Sequence, residues 1–267
     1  MATPTAADVL FDPTQDTHPN RWNLGLPFGL YYKERCVVRT NLLRCGGCRA
    51  VMYCGFEHQR ADRPRHKNQC KVIKPALEEL AAEEAKLRAK GAEALAYGWE
   101  DDAANTGNSD GNDGEEDEKE DPFTSSLTRG RFYYISSTRP CMQARHNLIS
   151  ATLNVRTGEA ADIALANCLE MLQLCRGDNM GVREQVPSLF LRLDRDQEAY
   201  DFIKWWMVLP RSYVYTDNTL PFLDLKGKDA FEPPKEEWLK SRHDVSHTAS
   251  LTHLKIRLLL DVRMLAK

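Results

Sequence analysis

The chain has 267 residues and a formal net charge of −3, with 42% apolar and 28% charged residues. These values fit an ordinary globular protein of one medium domain or two smaller ones. Such a near-neutral total excludes a chain that holds nucleic acid through bulk charge, and no stretch approaches the roughly 20 apolar residues that cross a bilayer. The total hides an asymmetry: residues 100–121 hold eleven acids and one lysine, a local charge of −10, so the rest of the chain carries +7.

In chain order, Met1 to Asp16 has neither a basic lead nor an apolar run, so no signal peptide is read there and an intracellular protein is expected, in nucleus or cytoplasm. Residues 1–30 are polar and proline-bearing and read as irregular, with Trp22, Leu24, Leu26 and Phe28 free to dock on a neighbour. Residues 31–73 are cysteine-rich. A helical extension is expected over 74–98, where PALEELAAEEAKLRAK is dense in Ala, Leu, Glu and Lys and Pro75 suits a first turn. Leu80 and Leu87 share one side of this helix, which is expected to pack on the cysteine-rich module. Residues 99–130 carry the acid block with Gly, Asn and Ser; too few apolar groups offset the entropy of ordering, so a disordered linker is expected.

Residues 131–267 read as a helical domain. Ala161, Leu165, Cys168, Leu169 and Leu172 keep helical spacing, and Val182, Val186, Leu189, Phe190 and Leu193 form a second stripe with Pro187 near its start. Asp178-Asn179 between them reads as a turn and cap. A third helix spans Gln197 to Leu209, with Ala199, Ile203, Trp206 and Met207 inward and Pro210 as its stop. A polar, proline-bearing stretch runs through Phe231-Glu232-Pro233-Pro234. The last helix is expected from Ser246 to Ala266, with Leu251, Leu254, Leu258, Val262 and Leu265 as its stripe. Tyr200, Trp205, Trp206 and Trp238 are read as core rather than as a partner-binding stripe. Cys141, Cys168 and Cys175 are read as buried thiols.

The chemistry concentrates earlier. Five of eight cysteines fall in the 35 residues from Cys36 to Cys70, beside His58 and His66. In a reducing compartment such clustering points to metal rather than disulfides. Cys45-x-x-Cys48 aims two thiolates at one ion, while His66-x-x-x-Cys70 and Cys54-x-x-x-His58 each place two donors on one face of a helical turn.

The segment CGGCRAVMYCGFEHQRADRPRHKNQC, Cys45 to Cys70, resembles the MYND-type zinc finger, with Tyr53 in the aromatic position before Cys54. The resemblance implies a small cross-brace finger with two interleaved zinc sites. One takes Cys45, Cys48, His66 and Cys70. The other takes Cys36, Cys54 and His58, the last in place of the usual cysteine, while Lys33 stands where a fourth ligand belongs. Three readings stay open for that second site: a distant ligand such as His18 or Glu34, an empty site, or zinc with an open position. About 40 residues support little core, so metal is expected to supply the folding energy, and loss of Cys48 or His66 to unfold the finger. The family implies binding to protein partners through extended proline-containing peptides.

A second, weaker resemblance covers LEMLQLCRGDNMGVR and Leu193 to Ala199, which look like parts of a tetratricopeptide repeat with Asp194 in the place of its turn glycine. The expected fold is therefore a small zinc-stabilised finger plus a mainly α-helical region, tetratricopeptide-like or an irregular bundle. The expected function is an intracellular protein-protein interaction module, an adaptor or regulatory scaffold and not an enzyme. The alternatives are a MYND-associated methyltransferase-like enzyme and a nucleic-acid-binding regulator. The first lacks the asparagine-histidine-cysteine segment of SET domains. The second rests on Arg60, Arg63, Arg65, Lys67 and Lys71, without an evident base-reading helix.

Overall fold

A computed structural model describes residues 41–97, 119–233, 235 and 245–266. The calls on residues 1–30, Cys36, Lys33, Trp238 and most of the acidic block lie outside the described residues. A two-stranded antiparallel ribbon, β1 (Leu43–Arg44) and β2 (Met52–Tyr53), opens the fold, with Leu43 opposite Tyr53 and Arg44 opposite Met52. Helices α1 (Phe56–Lys90), α2 (Ala92–Tyr97), α3 (Arg139–Leu153), α4 (Gly158–Leu174), α5 (Val186–Arg192), α6 (Asp196–Val208) and α7 (Val245–Leu265) follow. The C-terminal region is mostly helical, and none of the described helices is long and apolar enough to cross a membrane.

Helix α1 is continuous for 35 residues, about 50 Å. It merges what reads in sequence as a finger helix and a separate extension. Pro75 does not begin a helix; it and Pro64 lie inside α1, both exposed, so the carbonyls that lose an N–H partner there face water. Gly91 ends the rod at φ +84°, a left-handed value that costs glycine little. The buried line Ile73, Ala76, Leu80 and Leu87 packs mainly on α3, not back on the finger as expected. Arg145 of α3, almost fully buried, pairs with Glu84 of α1 at 2.5 Å and with Asn167 Oδ1 of α4 at 3.0 Å. The finger and the bundle share one apolar cluster running from Cys45, Val51 and Ile73 to Leu251 and Leu254.

The acidic block is ordered at its end. Residues 119–130 fold as turns, with Phe123, Ser125 and Thr128 buried. Lys119 Nζ donates to the Ala89 carbonyl at 3.0 Å, and Arg88 lies 4.6 Å over the Phe123 ring. The expected linker therefore stops short of 130, because Phe123 supplies apolar surface that the charged sequence before it lacks.

The second stripe of the helical region is two elements. Val182–Glu184 is a short 3-10 turn whose amides Val182 N and Arg183 N donate to the Asp178 carboxylate at 2.9 and 3.1 Å, and α5 restarts at Val186 with Pro187 in its first turn. Cys141, Cys168 and Cys175 are buried thiols, with burial pushing Cys141 up to about 11 and Cys168 up to about 12. Tyr200 and Trp205 are core; Trp206 is half-buried under the Arg183 guanidinium.

Between α5 and α6, Asp194 adopts φ +56°, the conformation a turn glycine supplies. Arg195 N donates to Phe190 O and Asp194 N to Leu191 O, closing the end of α5 in the manner of a glycine-capped helix. Arg257 of α7 compensates the strained aspartate, donating to Asp194 Oδ1 at 2.7 Å and Leu191 O at 2.9 Å, with Asp196 Oδ1 at 3.1 Å. Only the first half of the α7 stripe packs: Leu251 and Leu254 are buried, whereas Val262 and Leu265 are exposed, against the expected inward line. Arg257→Ala is expected to destabilise the chain by about 2–4 kcal/mol in urea unfolding, since it leaves Asp194 unpaired. Asp194→Gly is expected to cost less, because glycine relieves the left-handed backbone.

Candidate metal centre

Cys45 leaves the end of β1 into a tight turn. Cys45 N donates to Val51 O and Arg49 N to Cys45 O, both at 2.9 Å, and Arg49 takes φ +57° to turn the chain back into β2. This knuckle places Cys45 and Cys48 side by side. Across from it, His66 and Cys70 stand one turn apart on the buried side of α1. The four donor atoms lie within 4.8 Å of one another and all four residues are buried.

The distances fit zinc. A tetrahedron with arms of about 2.3 Å to sulfur has sulfur–sulfur edges of about 3.8 Å. Cys45 Sγ and Cys70 Sγ are 3.8 Å apart, and His66 Nε2 is 3.3 Å from both Cys45 Sγ and Cys48 Sγ. Three thiolates and an imidazole make a closed donor set of the structural kind.

The electrostatics suit a cation. Burial opposes charge on Cys45, yet backbone N–H groups of Cys48 and Gly47 outweigh it and lower its thiol below the ordinary value. Burial raises Cys48 and Cys70, whose charged forms also repel Cys45. Burial lowers His66, favouring the neutral ring that a metal needs. Zinc must displace protons from this set, so its hold weakens as pH falls.

The supports around these donors are less visible in sequence. Asp62, buried one turn before His66, accepts from Tyr53 Oη at 2.8 Å and from Arg65 Nε at 2.7 Å. Tyr53 also stands edge-on to the His66 ring at 6.2 Å. The aromatic residue before Cys54 thus ties β2 to α1. Gln69 lies beside His66, and both the buried His66 Nδ1 and the buried Gln69 Oε1 lack a hydrogen-bond partner, which makes Gln69 the candidate to orient the ring with Nε2 toward the metal. Thr157 caps α4 by accepting from Ala160 N at 3.1 Å and donates to Ala50 O of the knuckle at 2.6 Å. The one cue in sequence for Asp62 is its position four residues before His66; Thr157 gives none.

Of the other residues singled out in sequence, Cys54 and His58 are brought together, with Cys54 Sγ 2.5 Å from His58 Nδ1. Cys36 is outside the described residues.

Two neighbouring glycines offer a test of the cage. A Cβ on Gly47 would meet Cys70 Sγ at 2.8 Å, whereas one on Gly46 would meet nothing within 4 Å. Gly47→Ala is expected to weaken zinc affinity by about 10- to 100-fold in chelator competition. Gly46→Ala is expected to leave it unchanged.

Residues 34–70 match the family model of the MYND finger. Egl nine homolog 1 of Mus musculus is 54% identical over 39 residues, and that of Homo sapiens 48% identical over 46. The stretches cover 15% and 17% of this chain but only 10% and 11% of the lengths of those relatives. No solved structure matches the chain. With its matched span and its buried four-donor zinc cage, the segment from residue 34 to 70 is a MYND finger, set at the head of a mostly helical chain.

Proposed function

We propose that the chain is a non-catalytic interaction module in which the zinc-held finger docks an extended, proline-containing segment of a protein partner and the helical region fixes the finger in place. The observation that carries this reading is the closed, buried cage of Cys45, Cys48, His66 and Cys70 beside a ribbon whose β1 residue Leu43 is exposed. A metal whose four positions are all protein donors has none left for a substrate, so it acts by building a surface.

That surface includes β1. Among the described residues β1 pairs only with β2, and its Leu43 is 61% exposed. An extended segment laid along β1 gains main-chain hydrogen bonds, and Leu43 gives it an apolar contact. Proline suits such a segment because it is already extended and loses little entropy on docking.

In the same reading Cys36, Cys54 and His58 hold a second zinc. The convergence of Cys54 and His58 supports it. Native mass spectrometry of reduced protein is expected to find two zinc ions per chain, and one in Cys54→Ser. A single ion in both would remove the second site.

Docking is tested by titration with a labelled proline-containing peptide. Leu43→Asp is expected to weaken binding about tenfold while zinc content and melting temperature hold. Cys48→Ser is expected to abolish binding along with the fold of the finger. A Leu43→Asp protein that binds normally would overturn the assignment of β1.

A further inference from the structure

The two halves of α1 carry charge differently. In the second half, cations sit beside acids: Lys74 with Glu78 at 3.5 Å, Lys86 with Glu83 at 2.6 Å and Arg88 with Glu84 at 3.1 Å. Such pairs are the usual pattern of a solvated helix face. The first half has one such pair, Arg65 with the buried Asp62. Arg60, Arg63, Lys67 and Lys71 are exposed and make no ion pair among the described residues.

These four lie on one line. With Phe56, which is 71% exposed, they occupy an arc of about 80° on the helix, centred about 60° from Cys70 and about 100° from His66, with Arg63 at the edge nearest the ligands. Successive members are three or four residues apart, so each cation faces another of like sign, an arrangement that weakens a helix. No ion pair among the described residues relieves it.

We infer that this stripe of α1 is a docking face for an acidic protein segment, one whose carboxylates lie along Arg60, Arg63, Lys67 and Lys71 with an apolar residue against Phe56. The inference rests on the docking reading above and names the chemistry of the partner. From Arg60 to Lys71 the axis rises about 16 Å, the length of about five extended residues. An extended segment shows every second side chain on one face, about 6.6 Å apart, close to the 4.5–6 Å axial steps of the cations. Phe56 follows Tyr53, the partner of Leu43 in the ribbon, by three residues, so the apolar end of the stripe adjoins β1 in the chain. A single-stranded nucleic acid fits less well: its readers offer successive aromatic platforms, and this stripe has one ring.

The test uses the full zinc-loaded chain and three labelled probes: a 12-residue peptide with one Leu-Pro pair and alternating glutamates (about 12 residues spans the stripe and β1), the same peptide with glutamines, and a uridine RNA of equal length. The glutamate peptide is expected to bind about tenfold tighter than the glutamine peptide at about 50 mM salt, with most of that advantage gone at about 300 mM. The double variant Arg63→Gln, Lys67→Gln is expected to erase the advantage with zinc content and helicity unchanged. Lys86→Gln, taken from the paired half of α1, is expected to keep it. Equal binding of both peptides, or a double variant that still prefers glutamate, overturns the acidic-partner inference and leaves peptide docking standing. Tighter binding of the RNA than of either peptide overturns it in favour of a nucleic-acid face. Failure of both peptides to bind removes this inference and the docking reading together.

Discussion

Closure of four donors around one ion joins two pieces of chain that otherwise share one buried hydrogen bond, Tyr53 to Asp62, and a short stretch of apolar contact. The knuckle contributes Cys45 and Cys48 from a five-residue turn, and α1 contributes His66 and Cys70. The ribbon beside them has only two residues per strand, far too little for independent stability. Structural zinc is worth about 10–16 kcal/mol in finger peptides, as much as the whole stability of a typical domain. The position of the ribbon, the burial of Tyr53 on Asp62 and the start of α1 all follow from that closure.

The helix then carries the constraint outward. Because α1 does not stop at the finger, the residues that meet the metal and those that meet α3 belong to one rod. The buried Arg145–Glu84 pair fixes its far half, and Thr157 and Gln69 fix its near half, since Gln69 Nε2 also reaches the Asn154 carbonyl at 3.4 Å. A buried ion pair adds little net stability, but removing one partner leaves an uncompensated charge and is costly. Arg145 meets Glu84 of α1 and Asn167 of α4 at once, which ties the far half of α1 to both helices.

Much of the metal centre was legible in the sequence, because ligands declare themselves by element and spacing. Cys45-x-x-Cys48 and His66-x-x-x-Cys70 need no tertiary information to be paired, and the helical stripe of α4 was equally plain. What spacing could not give was the identity of the neighbour. Leu80 and Leu87 mark a buried side, yet nothing local says that α3 covers it. Pro75 looked like a helix start because a proline inside a helix is costly, and the cost is small here because its face is wet. Phe123 lies so close to the acid block that composition alone swept it into the linker. Asp194 stands where a repeat has glycine; its left-handed backbone is tolerable because of Arg257, 63 residues away, a distance no local pattern spans.

The apolar cluster that runs unbroken from the knuckle into the bundle has a consequence for the life of the polypeptide. Ala50 and Val51 of the knuckle are fully buried in the same cluster as Ile73 of α1. A chain made in a zinc-starved cell displays them on an otherwise finished bundle, as the kind of greasy patch that chaperones and proteases recognise. Loss of the metal is therefore expected to reach beyond the forty residues of the finger, into the core of the bundle.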